Sequence, residues 1–371
     1  MANESSEITV RDLLTVNAIP GLGAGLYRRL VEHFGSWSQV VGARTNDLCA
    51  VPGIGEGLAR AIHDAPTIDV SLEMEEARAL GIELIPYTDA RYPEGLKELH
   101  GAPLLLYVRG HLLPSDRLAM AIVGSRRCTY YGQSQAERLA FALSKTGFCI
   151  VSGMAHGIDA TAHRAALRAR GRTIAVLGCG LKHMYPSDHG DLAMEIAANG
   201  ALVSELPLDV PPRAGNFPPR NRIIAGLALG TIVVEAHRKS GALITARWTT
   251  ELNRQVYAVP GQADSPQSRG THALLKDGAK LVESVEDVIS ELGPLGVSIS
   301  TVSEETVDNP RALTLSGNEK RVFSALGSRP LNIDEVAKAV RLPIPAISST
   351  LMVLEIRGLV RQLPGKRFVR P

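Results

Sequence analysis

The sequence predicts an α/β protein: a doubly wound parallel sheet set between a small all-α module and a C-terminal winged-helix module. Three observations support this. From Leu118 onward, short continuous apolar runs alternate with helical segments, the pattern of parallel strands buried on both faces. Glycine turns end three successive runs, at VGSR (123–126), SGMAHGID (152–159) and LGCGLKHMYP (177–186); the carboxyl ends of such strands line a common crevice. The two ends of the chain carry different patterns, a duplicated glycine hairpin before the sheet and three short helices with a hairpin after it. The expected boundaries are residues 1–70, 71–292, a linker at 293–312, and 313–371.

In the first segment, IPGLGAGLYRRLVEHFG (19–35) is matched by VPGIGEGLARAIHDA (51–65). Each copy is a short PGxGxGL hairpin between helical patterns and resembles the helix-hairpin-helix module, whose glycines let backbone N–H groups approach a DNA phosphate. The segment is acidic and Glu56 sits inside the second hairpin, so protein docking and DNA contact both stand as uses. Residues 67–118 connect it to the sheet: SLEMEEARALG reads as a helix, IELIPY and PLLLYVRG as short strands, and YTDARYPEGLKEL as a loop leading into a helix. The sheet follows as LAMAIVG (118–124), FCIVSG (148–153), RTIAVLG (172–178), ALVSEL, GTIVVEA, QVYAVPG and AKLV, with helical segments after most of them. Residues 293–316 are rich in Ser, Thr, Val and Gly and read as linker. Beyond them GNEKRVFSALG, NIDEVAKAVRL (Asn332 as N-cap) and PAISSTLMVLEIRGL read as three helices, and VRQLPGKRFVRP as a two-stranded wing. The third helix takes the place of a recognition helix and offers Ser348, Ser349 and Arg357; such modules also dock proteins.

Composition narrows the function. The hydrophobic fraction is 45% and mean hydropathy +0.04. No apolar run is long enough to cross a bilayer and none reads as a signal peptide, which points to a cytoplasmic protein with no membrane partner. Four scattered cysteines, Cys49, Cys128, Cys149 and Cys179, suggest neither a zinc site nor a disulfide framework. The net charge of +2 hides a division: −6 over residues 1–110, +1 over 111–310 and +7 over 311–371. The basic C-terminal module fits an anionic partner or a solvated basic face.

The densest chemistry lies between Val203 and Ala246. FPPRNRIIAG sets Arg220, Asn221 and Arg222 at the start of a helix, GTIVVEA is a buried strand, and SGALITA opens the next helix. A buried strand emptying into a helix N-terminus is where parallel sheets hold anions, so a phosphate-bearing ligand is expected. Small nucleotides fit poorly. The first glycine turn, GSRRCTYYG, lacks GxGxxG, no Asp or Glu falls between Arg138 and Asp159 to hold a ribose, and GxxxxGK[ST] is absent. Ser125 and Ser152 lack the GxSxG context of a nucleophile. Asp159 and His163 stand at i, i+4 after His156, a spacing that suits capping or helix packing. Glu235 ends a strand beside the arginines and is expected to pair with Arg220 or Arg222. Phe217, Tyr130 and Tyr185 are the aromatic candidates for base stacking or for pocket walls.

At VGSR, SGMAHGIDATAH, TIAVLGCG, YP, SE, FPPRNRIIAG, VVEA, SGALITA, VPG and GTHALLKDGA, the order and spacing closely resemble the DNA-processing protein A family, DprA, also called Smf, over roughly residues 80–290. The resemblance implies an extended Rossmann fold, a homodimer, binding of single-stranded DNA, and loading of the RecA recombinase during natural transformation, with no cofactor and no catalysis. It implies that Arg126 is the main DNA contact, in a loop shaped by Gly124 and Ser125 and flanked by Gly153. Arg220, Asn221 and Arg222 then grip phosphates or brace the pocket, and Ser240 and Gly241 sit at its mouth. Ser187 stands where many relatives have Lys or Arg after YP, and Lys182 is expected to supply the missing charge. Arg213 and Phe217 lie on the approach. Leu274 and Leu275 form a candidate dimer edge, with core packing as the alternative. The picture is a basic channel tracking a DNA backbone, in which each neutralised phosphate adds about 0.7 to the salt slope. A competing reading is a nucleotide enzyme or sensor of the phosphoribohydrolase type; AHRKSGALITA stands nearest that family's PGGxGTxxE motif and lacks its glutamate. A third is a scaffold whose terminal modules dock proteins.

Overall fold

Nine strands form one sheet in the computed structural model, which describes residues 8–292, 317–327, 330–356, 359–363 and 367–370. They are β1 (Ile82–Pro86), β2 (Leu105–Gly110), β3 (Ala119–Val123), β4 (Cys149–Ser152), β5 (Thr173–Val176), β6 (Gly200–Ser204), β7 (Gly230–Val233), β8 (Gln255–Ala258) and β9 (Lys280–Leu281). Their order is β1-β2-β6-β5-β4-β3-β7-β8-β9. From β6 to β9 every neighbouring pair is parallel. The two strands of the connecting region extend the sheet antiparallel beyond β6.

Strands β3 to β7 are buried at every residue, which is why they read as unbroken apolar runs rather than as alternation. Period-2 geometry still divides their side chains between two layers. Met120, Ile122 and Ile150 pack with Leu139, Leu143, Ala162 and Val288 on one face. Ala121, Val123, Val151 and Val176 pack with Ile223, Ile224, Ala242 and Ala246 on the other. The fold is therefore doubly wound, as the alternation of strands and helices predicts.

The glycines of the N-terminal repeat serve its two turns. Gly21 and Gly53 adopt φ of +87° and +93° at equivalent points of the two hairpins, a region open to glycine at no steric cost. The hairpins lead into helices Ala24–Phe34 and Glu56–His63. The core of this N-terminal module runs without a break from Leu13, Leu30, Leu48 and Ile62 into Leu105, Tyr107 and Leu202 of the sheet. The C-terminal module has helices Gly317–Ala325, Ile333–Val340 and Ile344–Ile356 and three short strands. Asn332 and Glu335 close a reciprocal capping box at 2.8 Å each way. Ser348 and Ser349 are exposed; Arg357 and the expected linker lie outside the described residues. No single helix among the described residues is long and apolar enough to cross a membrane.

Glu235 does not pair with an arginine. Its carboxylate accepts from Thr129 N at 2.8 Å and Thr129 Oγ1 at 2.5 Å. Thr129 is the N-cap of the helix Tyr130–Lys145 and accepts in turn from Gly132 N. A Cβ at position 132 would come within 2.4 Å of the Glu235 carboxyl carbon, so only glycine fits there. Glu235 thus locks β7 to the first crossover helix, and the charge favours the helix N-terminus.

His163 ties the next layer together. Thr173 Oγ1 donates to the Ile150 carbonyl at 2.7 Å, so it accepts from His163 Nδ1, also at 2.7 Å. Nδ1 therefore carries the proton, and the buried Nε2 has no partner. Burial, with a smaller push from His189, lowers the pKa of His163 to about 3. A base depressed in the folded state contributes stability that is present above its unfolded value of ~6.5 and lost as pH falls towards 3. Relative to His163→Gln, the parent is expected to lose about 1.4 kcal/mol per pH unit across that window, measured as urea stability at several pH values. Asp159 works in the opposite sense: burial raises it to about 6, so it offsets part of the loss below that value. The variant difference isolates the histidine.

Candidate nucleic-acid interface

The sheet reverses direction between β3 and β7: β4, β5 and β6 build outward on one side, β8 and β9 on the other. Ligands of open α/β sheets bind outside the carboxyl ends at such a switch point. Here a crevice of about 560 Å³ opens there, lined among others by Gly124, Ser125, Arg126, Phe217, Arg220, Asn221, Lys239, Ser240 and Gly241.

One wall is the loop after β3. Ser125 is buried; its carbonyl accepts from Ile158 N at 3.2 Å and its hydroxyl from Arg127 N at 3.1 Å. Gly157, at φ +75°, lets the following loop close on it, since a Cβ there would lie 2.3 Å from the Ser125 oxygen. With both flanking loops fixed, Arg126 projects into solvent. Its guanidinium carbon is 5.4 Å from the Phe217 ring centroid. Phe217 also stands 5.8 Å from Arg220 and meets Tyr185 at 5.3 Å. It is a pocket-wall ring with a partly open face.

The floor is Arg220, only 5% exposed. Its Nη1 donates to the carbonyls of Gly153, at 2.7 Å, and Val176, at the ends of β4 and β5. A Cβ on residue 153 would meet the guanidinium at 2.8 Å, so Gly153 makes room for it. Burial lowers Arg220 to about 10, with Asp159 pulling it back up; Asp159 is pushed up by burial and pulled down by Arg220. Both groups are mostly charged at neutral pH and nearly cancel. Net positive potential therefore rests on the exposed cations at the rim, Arg126 and Lys239. Asp159 is the one carboxylate among the lining residues, and it is buried. Asn221 Nδ2 donates to the Gly241 carbonyl at 3.1 Å and so fixes the loop that starts the helix Ala242–Glu251. That N-terminus faces the crevice and favours an anion.

A family model described as DNA recombination-mediator protein A matches residues 83–293, and one for the DprA winged helix domain matches 307–366. The chain belongs to the DNA recombination-mediator protein A family. It is 33% identical over 388 residues to Protein Smf of Synechocystis, covering 96% of this chain and 98% of that one. It is 39% identical to Protein Smf of Escherichia coli over 76% of each chain. Among solved structures, DNA processing protein A of Streptococcus pneumoniae is similar with a TM-score of 0.67 and 34% identity, over 77% of this chain and 98% of that one. The Helicobacter pylori protein, whose structure is described for its single-stranded DNA binding mode, has a TM-score of 0.51 and 32% identity over 57% and 95%.

Not every residue expected from the family resemblance meets at the crevice. Arg222 pairs with Glu205 at 2.5 Å and lines a separate recess with Asn17, Leu206 and Pro207. The reason is helical geometry: residues two apart point to different faces, so burying Arg220 turns Arg222 away. Lys182 is held by Glu76 at 2.9 Å and Asp209 at 2.7 Å and supplies no free charge. Arg213 is exposed between Pro212 and Ala214, which line the crevice. Tyr130 begins a helix and is not a lining residue, whereas Tyr185 is. Leu274 packs against the core of its own sheet, and Leu275 is half-buried. One lining residue and one role were missed. Lys239 lies in the HRK run just before the SG of the helix start, and that position was its signal. Asp159, expected to serve capping or helix packing, does accept from Ala155 N at 3.3 Å just before the helix Ile158–Arg168, and its charge also offsets that of Arg220.

Proposed function

We propose that the crevice holds the sugar–phosphate backbone of single-stranded DNA and that the protein is a non-catalytic recombination mediator. One observation carries the reading: Arg126 stands exposed over Phe217, with no carboxylate partner among the described residues, at the mouth of an anion-suited crevice. The single-stranded DNA binding described for the Helicobacter pylori relative supports it. Gly124, Ser125, Arg126, Arg213, Phe217, Ser240 and Gly241, with Lys239, form the contact surface; Gly153, Arg220 and Asn221 hold its shape. Delivery of the bound strand to a RecA-class recombinase, by a homodimer, completes the function that family membership supports.

The test is binding of a fluorescent oligothymidylate across a salt series. The expected result is a slope of log affinity against log salt of about −0.7 per contacted phosphate, and tighter binding of the single strand than of a duplex of equal length. Salt-independent binding, or a preference for duplex, would overturn the reading. The nucleotide-enzyme alternative needs an accessible carboxylate beside the ligand, and the one carboxylate among the lining residues is buried. Release of a base from a nucleoside monophosphate by the purified protein would revive it.

A further inference from the structure

The loop after β4 and the short 3-10 turn Ser187–His189 bring together three side chains that the DNA reading leaves unused. His156, Asp188 and His189 each offer one ligand atom, and these atoms lie within 4.8 Å of one another. His156 Nε2 is 3.6 Å from Asp188 Oδ1. That is too long for a hydrogen bond. It is within a few tenths of an ångström of the ~3.3 Å between two ligand atoms on a tetrahedral zinc with bonds of ~2.0 Å. The two imidazoles stand edge to face, with centroids 4.7 Å apart.

His189 is already oriented as a ligand. It is buried, and its Nδ1 lies 3.0 Å from the Met154 carbonyl oxygen. A carbonyl can only accept, so Nδ1 carries the proton and Nε2 keeps its lone pair. Metal-binding histidines are held in this way by a backbone carbonyl behind them. Met154 presents that carbonyl from φ 65°, a conformation disfavoured for any residue with a side chain.

We propose that His156, Asp188 and His189 form a binding site for a borderline divalent transition-metal ion of the zinc class. Two imidazoles and one carboxylate suit zinc, cobalt or nickel; magnesium and calcium prefer all-oxygen shells. Three protein ligands leave a position for water or an anionic oxygen, as in open zinc sites. His156 also lines a small recess with Arg126, Tyr185 and Phe217, which places the ion beside the crevice. The inference does not depend on what the crevice binds.

The probe is the metal alone, added to the full chain after chelation and without DNA. The expected result is uptake of one cobalt(II) per chain, with visible bands of nitrogen and oxygen ligation and no thiolate charge-transfer band from Cys128 or another cysteine. Zinc should displace the cobalt, and millimolar magnesium should not. His156→Ala and Asp188→Ala should each weaken uptake on the order of tenfold or more. Their side chains are 52% and 67% exposed, so the fold should survive, as a thermal melt will show. His189→Gln should abolish uptake. Absence of stoichiometric uptake by the parent, uptake through thiolate, or uptake that His156→Ala and Asp188→Ala leave unchanged would overturn the site.

Discussion

Arg126→Ala is expected to weaken oligothymidylate binding about ten- to a hundredfold and to lower the salt slope by about 0.7. The first figure is the ~1.5–3 kcal/mol of a hydrogen bond to a charged partner; the second is the counterion release of one single-strand phosphate contact. The loop beneath Arg126 is laced to the helix Ile158–Arg168 through Ser125 and Gly157, so the truncation removes a charge without moving its support. Exposure of the side chain predicts a change in folding stability within about 0.5 kcal/mol. Lys182→Ala is the matched control. It deletes a cation of the same region whose charge Glu76 and Asp209 already neutralise, and it should change affinity by less than about twofold. The assignment fails if Arg126→Ala binds as the parent does. It fails equally if Lys182→Ala flattens the salt slope and Arg126→Ala does not.

The contrast between Arg126 and Lys182 marks what the sequence makes legible. Strands β3 to β7 were readable because burial on both faces leaves an unbroken apolar run in the chain, and the glycine turns after β3, β4 and β5 then placed the crevice. The antiparallel pairing of β2 with β6, and of β1 with β2, left no local trace, since pairing partners are set by tertiary packing. Charge neutralisation was equally invisible. Nothing near Lys182 in sequence signals Glu76, which arrives from a helix over a hundred residues away. Glu235 was misassigned for a related reason: its position at the end of β7 was right, but Thr129, 106 residues upstream, reaches it first. A motif fixes which backbone turns surround a side chain. Which opposite charge reaches it is decided by distant elements.

Arg220 is where that distinction predicts the largest loss. If Arg220 gripped a phosphate from the solvent side, Arg220→Met would change affinity and leave the fold alone. The structure predicts the reverse order of effects. The guanidinium is buried under the crevice, donates to Gly153 and Val176, and is the counter-charge for Asp159. Removing it takes a donor from two strand ends and leaves a buried carboxyl without its cation. Each buried polar group left without its partner costs about 1–3 kcal/mol, and more for a charged one. Denaturant titration of Arg220→Met should show a loss of that size, and Asp159 should shift further towards its protonated form. The double variant Arg220→Met, Asp159→Asn should regain part of the stability, because deleting both charges is less costly than stranding one. DNA affinity should not return with it if the ends of β4 and β5 need the guanidinium to hold the Phe217 wall in register. A single variant that keeps parental stability while losing one phosphate's share of the salt slope would instead make Arg220 a direct contact.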